Sequence, residues 1–267
     1  MDHRPIGVFD SGLGGLTAVK KLKEVLPRED IVYLGDTGRV PYGSRSRETI
    51  TKYARQDAAF LAGLGVKAMV IACNTACSVA LGAISAAYDM PVFGVVEPPA
   101  AEAARLTTNG KIGIIGTVAT VRSGAYAEAL RTMAPDAGVW SEACPLFVPL
   151  VENGRASADD IVVRTVAEEY LAPLRARGVD TLILGCTHYP LLRGVISEIM
   201  GSGVAIVDSG AATALRVARD LGDMGLLSGA GGESRYFVTD STEGFSELAS
   251  IFLDLRVGGS VEQIELE

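Results

Sequence analysis

Val179-Asp180-Thr181-Leu182-Ile183-Leu184-Gly185-Cys186-Thr187-His188-Tyr189-Pro190 repeats, 113 positions later, the plan of Val66-Lys67-Ala68-Met69-Val70-Ile71-Ala72-Cys73-Asn74-Thr75-Ala76. Each is a short apolar run, the mark of a strand buried on both faces. Each then reaches a cysteine followed by residues suited to capping a helix. Gly65 and Gly178 keep the same offset, as do the apolar stretches near Val92 and Ala205. Ile6-Gly7-Val8-Phe9-Asp10-Ser11 likewise resembles Ile112-Gly113-Ile114-Ile115-Gly116-Thr117. A period this long is no solenoid. It predicts an α/β protein of two pseudo-symmetric lobes, each a mainly parallel sheet flanked by helices, with the active site between them.

Outward from these runs the chain alternates in the same rhythm. A strand over residues 6–9 leads to a helix in which Leu16, Val19, Leu22 and Leu26 recur at helical spacing. A strand at 31–34 is followed by a polar loop, 35–47, of a length typical of lids and binding loops. A helix over 47–64 then leads into the Cys73 strand and its helix. After Lys111 the pattern predicts a strand, a helix over 122–133, short strands around Val139 and Phe147, and a turn at 149–154. A long helix at 158–175, the Cys186 strand with its helix, and a strand at 204–207 complete the second half. Residues 227–234 read as a Gly/Ser-rich linker. A strand at 235–238 and a helix at 244–255 then dock back on the first lobe. The lobes are thus expected to comprise residues 1–97 with 210–267, and residues 98–209. Parallel sheets form their sites at the carboxyl ends of strands, where Asp10, Asp36, Cys73, Thr117, Glu152 and Cys186 are expected.

Composition narrows the chemistry. The 267 residues are 48% hydrophobic and 21% charged, an ordinary globular balance. A net charge of −8 argues against a nucleic-acid partner, which needs a basic face. No apolar run is long enough to span a bilayer and no signal region precedes Ile6, so the expected location is cytoplasmic. Four scattered cysteines, Cys73, Cys77, Cys144 and Cys186, make no disulfide framework. With only His3 and His188 beside them, a structural metal site is not expected. None of the six lysines follows a strand's carboxyl end, which leaves no Schiff-base candidate for PLP and no cofactor to invoke.

Each candidate residue also has a plain structural reading. Gly12-x-Gly14 with Asp36 beyond it mimics a dinucleotide fingerprint, but Thr17 holds the third glycine position and a tight strand-to-helix turn explains the glycines. Cys73 alone reads as a small buried hydrophobe. Its place before a helix lowers a thiol's pKa, so a partly ionised thiol is expected there. Cys186 shares that place and adds His188 two residues on. Cys77 and Cys144 read as core. Asn74, Thr75, Thr117 and Thr187 are candidate caps, and a capped helix mouth suits a carboxylate. Glu152 is either a turn acid or the group that orients His188. Pro41-Tyr42-Gly43 has the composition of a turn.

Two thiols facing each other suit one of two chemistries. A redox pair needs Cα atoms within about 7 Å of each other. A racemase needs a gap for one substrate carbon, with a thiolate taking the α-proton on one face and a thiol returning one on the other. Asp10 and His188 would each assist one thiol's proton exchange.

The motifs Asp10-Ser11-Gly12-Leu13-Gly14-Gly15, Gly35-Asp36-Thr37 with Pro41-Tyr42-Gly43, Ala72-Cys73-Asn74-Thr75-Ala76, Pro149-Leu150-Val151-Glu152 and Gly185-Cys186-Thr187-His188-Tyr189-Pro190 resemble those of glutamate racemases, in the aspartate/glutamate racemase superfamily. The resemblance runs in order through almost the whole chain. It implies cofactor-independent interconversion of L- and D-glutamate, supplying D-glutamate for peptidoglycan. It also implies that Cys73 and Cys186 are the acid/base pair, assisted by Asp10, Glu152 and His188. Ser11, Tyr42, Gly43, Asn74, Thr75, Thr117, Thr187 and His188, with Asp10, would hold the substrate. Family members are commonly dimers, which implies a homodimer. A racemase or decarboxylase of another small carboxylic acid shares the plan, and a thiol redox or binding protein is the non-enzymatic alternative.

Overall fold

The computed structural model describes residues 1–243, 245–253 and 261–266. Its first part runs β1 (Ile6–Asp10), α1 (Leu16–Val25), β2 (Ile31–Gly35), α2 (Arg47–Gly63), β3 (Ala68–Ile71), α3 (Asn74–Ser85), β4 (Val92–Gly94) and α4 (Glu97–Leu106). There follow β5 (Lys111–Gly116), α5 (Val118–Ser123), α6 (Ala125–Met133), β6 (Gly138–Ala143), α7 (Phe147–Glu152), α8 (Ile161–Arg177), β7 (Thr181–Gly185), α9 (Arg193–Met200) and β8 (Ala205–Asp208). The chain closes with α10 (Ser209–Asp223), β9 (Ser234–Val238), α11 (Phe245–Leu253) and β10 (Val261–Gln263).

Two parallel sheets result. One has the order β10-β9-β2-β1-β3-β4 and the other β6-β5-β7-β8. The order β2-β1-β3-β4 is that of β6-β5-β7-β8, so the repeat heard in the sequence is a repeat of topology. β1, β2, β3 and β7 are buried at every residue. That is why their sequences are continuous apolar runs rather than alternating ones. Helices cover both faces, and α10 packs between α1 and α4 to join the halves.

Several expected elements differ. The 122–133 helix is two, because Gly124 sits at φ 70 and both closes α5 and opens α6. A left-handed residue of this kind is cheapest as glycine. Around Phe147 there is no strand but the helix α7, since Phe147 and Val151 sit one turn apart and are both buried. Phe147 packs edge-on against Tyr170 and Tyr189, at 5.3 and 5.2 Å between ring centres. The 149–154 turn therefore begins inside α7, and Glu152 is offered from a helix end rather than a strand end. The 35–47 loop contains two turns of 3-10 helix, Thr37–Arg39 and Tyr42–Ser44. Residues 227–234 are no free linker: Ser228 N–H donates to Glu29 at 2.6 Å, and the Gly232 and Glu233 N–H groups donate to Asp30 at 2.8 and 2.9 Å. Of the helix expected at 244–255, residues 244, 254 and 255 lie outside the described residues.

The turn after β1 touches the turn after β7. A Cβ added to Gly14 would lie 2.4 Å from Thr187 Oγ1 and 2.5 Å from the His188 ring. Gly14→Ala should lower stability by about 1–3 kcal/mol, the usual effect of overpacking. Urea titration of the two proteins checks this, and equal midpoints would show that the two turns are free to part.

Candidate active site

The carboxyl ends of β1, β3, β5 and β7 open onto one cavity of about 340 Å³, within the range of small-molecule sites. Ser11 follows β1, Cys73 to Thr75 follow β3, Thr117 follows β5, and Cys186 to His188 follow β7; all line it. Tyr42 and Gly43 line it from the 3-10 turn, and Glu152 from the end of α7. No lysine or arginine lines it among the described residues.

Cys73 is the N-cap of α3. Its sulfur accepts the Ala76 N–H at 3.4 Å and lies 3.5 Å from Ser11 Oγ. The partly ionised thiol expected here is not found. Burial, seconded by the charge of Asp10, pushes the Cys73 thiol up to about 12, outweighing those hydrogen bonds. A helix mouth stabilises a thiolate only where the site is not also dry and acidic.

Cys186 has different surroundings. The helix expected directly after it is a 3-10 turn, Tyr189–Leu192, and α9 begins only at Arg193. Its sulfur faces His188 Nδ1 at 3.8 Å, and His188 Nε2 lies 3.0 Å from Glu152 Oε1. Burial alone would lower the imidazole's pKa. Hydrogen bonds and charge from Cys186 and Glu152 overcome it and raise the value to about 10. His188 is therefore a cation at neutral pH, held between a sulfur and a carboxylate.

Other expected residues are divided between wall and support. Thr117 caps α5 and shares hydroxyl contacts with Thr75 at 2.9 Å and Thr120 at 3.0 Å. Gly43 packs against Thr117 so closely that a Cβ there would lie 3.0 Å from the threonine Cβ. Tyr42 is on the wall, with its hydroxyl turned to Asp36 and Asp57 behind it. Asp36 ends in that same buried cluster and does not reach the cavity. Asp10 is buried and is not among the lining residues. Its Oδ2 accepts the Gly12 N–H at 3.1 Å, while Oδ1 has no hydrogen-bond partner among the described residues. Burial raises its pKa, opposed chiefly by the charge of His188.

Three contributors carried no sequence signal. Tyr126 of α6 donates to Asn74 Oδ1 at 2.6 Å, Asn74 Nδ2 lies 3.4 Å from Ser209 Oγ, and Thr120 completes the hydroxyl cluster. Tyr126 reads as an ordinary apolar position of an amphipathic helix. Only the packing of α6 against α3 and α4 shows that its hydroxyl is committed to Asn74.

Paired thiols at equivalent strand ends of a duplicated parallel sheet define a class, and sequence comparison identifies it. The chain belongs to the Asp/Glu/hydantoin racemase family, whose model matches residues 6–217. Among its relatives is a glutamate racemase from Geobacter metallireducens, 47% identical over 100% of this chain and 98% of the relative. In three dimensions it is similar to glutamate racemase isoform RacE1 from Bacillus anthracis, with TM-score 0.94, 38% identity and full coverage of both chains. It also resembles the Francisella tularensis glutamate racemase solved in complex with D-glutamate, with TM-score 0.93, 39% identity, and 100% and 99% coverage.

Two outcomes follow from these charges. Because the folded His188 pKa lies above its usual 6.5, its ion pair stabilises the fold fully below that value, and the contribution is lost as pH rises through about 10. In a His3→Gln variant the one remaining imidazole NMR resonance should hold its protonated position until pH nears 10. A midpoint near 6.5 would contradict the assignment. Asp10 has the opposite effect on stability. Its raised pKa makes ionisation costly as pH climbs above the usual 3.8, so Asp10→Asn should raise Tm at neutral pH. That gain should vanish in thermal scans below pH 3.8.

Proposed function

We propose that this protein interconverts L- and D-glutamate by a two-base mechanism, passing the α-proton between the substrate carbon and Cys73 on one side and Cys186 on the other. The observation that supports it best is the placement of both cysteines, each from a different sheet, on the wall of one cavity. Full-length similarity to glutamate racemases supplies the substrate.

The charges around the thiols give each a starting role. Asp10 favours the protonated form of Cys73, so in the empty site Cys73 is the proton donor. The His188 cation stands beside Cys186, where it favours the thiolate that takes the α-proton and becomes a neutral thiol in doing so. Cys186 removes the proton of L-glutamate, and Cys73 delivers one to the opposite face of the planar carbanion. The thiols exchange roles for D-glutamate, with Asp10 and His188 assisting the proton exchange on either side. Glu152 keeps His188 oriented and charged. Carboxylates are received by the N–H groups at the start of α3 and by Ser11, Asn74, Thr75 and Thr187 rather than by a guanidinium. With no lysine on the wall, the described residues offer no Schiff-base partner for PLP.

The reading extends to supply of D-glutamate for peptidoglycan in the cytoplasm by a homodimer. Its lobes are residues 1–97 with 210–267, and residues 98–209. The pairing of β9 with β2 supports that division. Among the described residues no helix is long and apolar enough to cross a membrane.

Polarimetry of L-glutamate with EDTA present and no added cofactor tests the activity. Rotation should decay to zero. Cys73→Ala and Cys186→Ala should each lower the rate by about 10²–10⁴-fold, the usual contribution of an acid–base group. In D₂O, Cys73→Ala should still exchange the α-hydrogen of L-glutamate with retention, and Cys186→Ala that of D-glutamate. One variant exchanging both enantiomers would overturn the one-thiol-per-face mechanism. A reversible Cys73–Cys186 disulfide without racemisation would favour a redox protein.

A further inference from the structure

The wall formed by residues 40–44 is held from behind by a cluster that includes two buried carboxyl groups. Asp36, at the end of β2, and Asp57, on α2, are both fully buried. Asp36 Oδ1 accepts from Thr239 Oγ1 at 2.8 Å, and its Oδ2 accepts from Arg39 Nε at 2.6 Å and from the Tyr42 hydroxyl in a short contact. Asp57 Oδ1 accepts from Arg39 Nη2 at 3.0 Å, and its Oδ2 lies 3.0 Å from the Tyr42 hydroxyl oxygen.

Counting protons decides the state of this cluster. A phenol carries one proton, yet the Tyr42 oxygen sits against two carboxyl oxygens. Its own proton goes to Asp36, the shorter contact, where Arg39 also donates. The contact with Asp57 then needs a second proton, and the Asp57 carboxyl is the group left to carry it. Charge agrees with this count. Asp36 and Arg39 cancel, whereas an ionised Asp57 would leave a net negative charge out of water with Asp10 nearby. Burial and the charge of Asp36 push Asp57 well above the usual carboxylate range, while Arg39 and Tyr42 oppose this.

We propose that Asp57 is a positioning residue, a carboxylic acid kept protonated at neutral pH that donates to Tyr42 and thereby fixes the substrate-cavity wall at residues 40–44. The ring of Tyr42 packs at a tilt against Tyr53, 5.6 Å away, over which Arg39 stacks at 4.2 Å. The wall is therefore held by Asp36, Arg39, Tyr53 and Asp57, none of which lines the cavity. When Asp57 loses its proton, the donor to Tyr42 disappears and a second buried carboxylate faces Asp36. The titratable and charged groups around it are Asp36, Arg39, Tyr42 and Asp10.

The assay rests on the racemase reading, but the protonation state does not. Infrared spectra of the parent at pH 7 should show the carbonyl stretch of a buried protonated carboxyl, and Asp57→Asn should abolish it. Identical spectra would overturn the proposal whether or not the protein racemises glutamate. In kinetics, Asn mimics the neutral acid, so Asp57→Asn should keep KM for glutamate within about twofold of the parent. Asp57→Ala, which leaves the Tyr42 hydroxyl and Arg39 short of a buried partner, should raise KM about tenfold with a smaller change in kcat. At alkaline pH the parent's KM should rise relative to that of Asp57→Asn, a ratio from which titration of the thiols and His188 cancels. If Asp57→Asn proved as impaired as Asp57→Ala, Asp57 would act as a carboxylate and the proposal would fall.

Discussion

Thr17 Oγ donates to the carbonyl oxygen of Thr187 at 2.9 Å, joining the helix that follows β1 to the turn that follows β7. The cavity depends on this junction. Gly14 O lies equally near that hydroxyl, at 2.9 Å, so its one proton is shared between the glycine turn and the Cys186 turn. Gly14 lacks a Cβ at the point of contact, which lets His188 and Thr187 lie directly against the first sheet's turn. Two parallel sheets each leave a crevice beyond their strand ends. Pressing those ends together turns two open crevices into one enclosed space with a cysteine from each.

Enclosure makes charge the next constraint. A buried ion needs a partner, and most buried ions here have one. Lys67 meets Glu29 at 2.5 Å and also donates to the carbonyls of Asp2 and Leu226, tying the start of the chain to the segment after α10. Arg39 serves Asp36, and Glu152 serves His188. Among the described residues Asp10 has backbone N–H groups and the more distant His188 charge, and one of its oxygens has no hydrogen-bond partner. Stability is given up at that spot. A strained or unsatisfied group at a strand end beside a cavity is more often kept for chemistry than for folding.

How much of this could be read from the sequence depends on how local the determinant is. The parallel strands and the repeat were legible because a doubly buried strand needs nothing but a run of apolar residues. The cysteines, His188 and the threonines were legible because strand ends in such sheets face the site. Phe147 was misread as strand because six apolar residues have no period of their own, and only the pocket between Tyr170 and Tyr189 selects the helix. The ionisation of Cys73 was misjudged because a helix mouth is visible in sequence and dryness is not. The tie between the Tyr42 hydroxyl and Asp57 had no visible signal, since Asp57 lies fifteen residues away on another helix. Tyr126 had no visible role, since its partner Asn74 lies 52 residues earlier.

The duplicated strand order has a last consequence. In the proposed two-base mechanism the two-fold relation between halves would present two bases to a planar carbon from opposite sides, but their surroundings have diverged, with the Asp10 carboxyl near one and the His188 imidazole beside the other. For mirror-image reactants of equal free energy, the ratio of kcat/KM in the two directions is fixed at unity whatever the protein does. The divergence therefore cannot bias the product. On that mechanism it could only trade, enantiomer by enantiomer, tighter ground-state binding against slower turnover, so that the half-repeat's broken symmetry would govern which enantiomer occupies the resting enzyme and not which one accumulates.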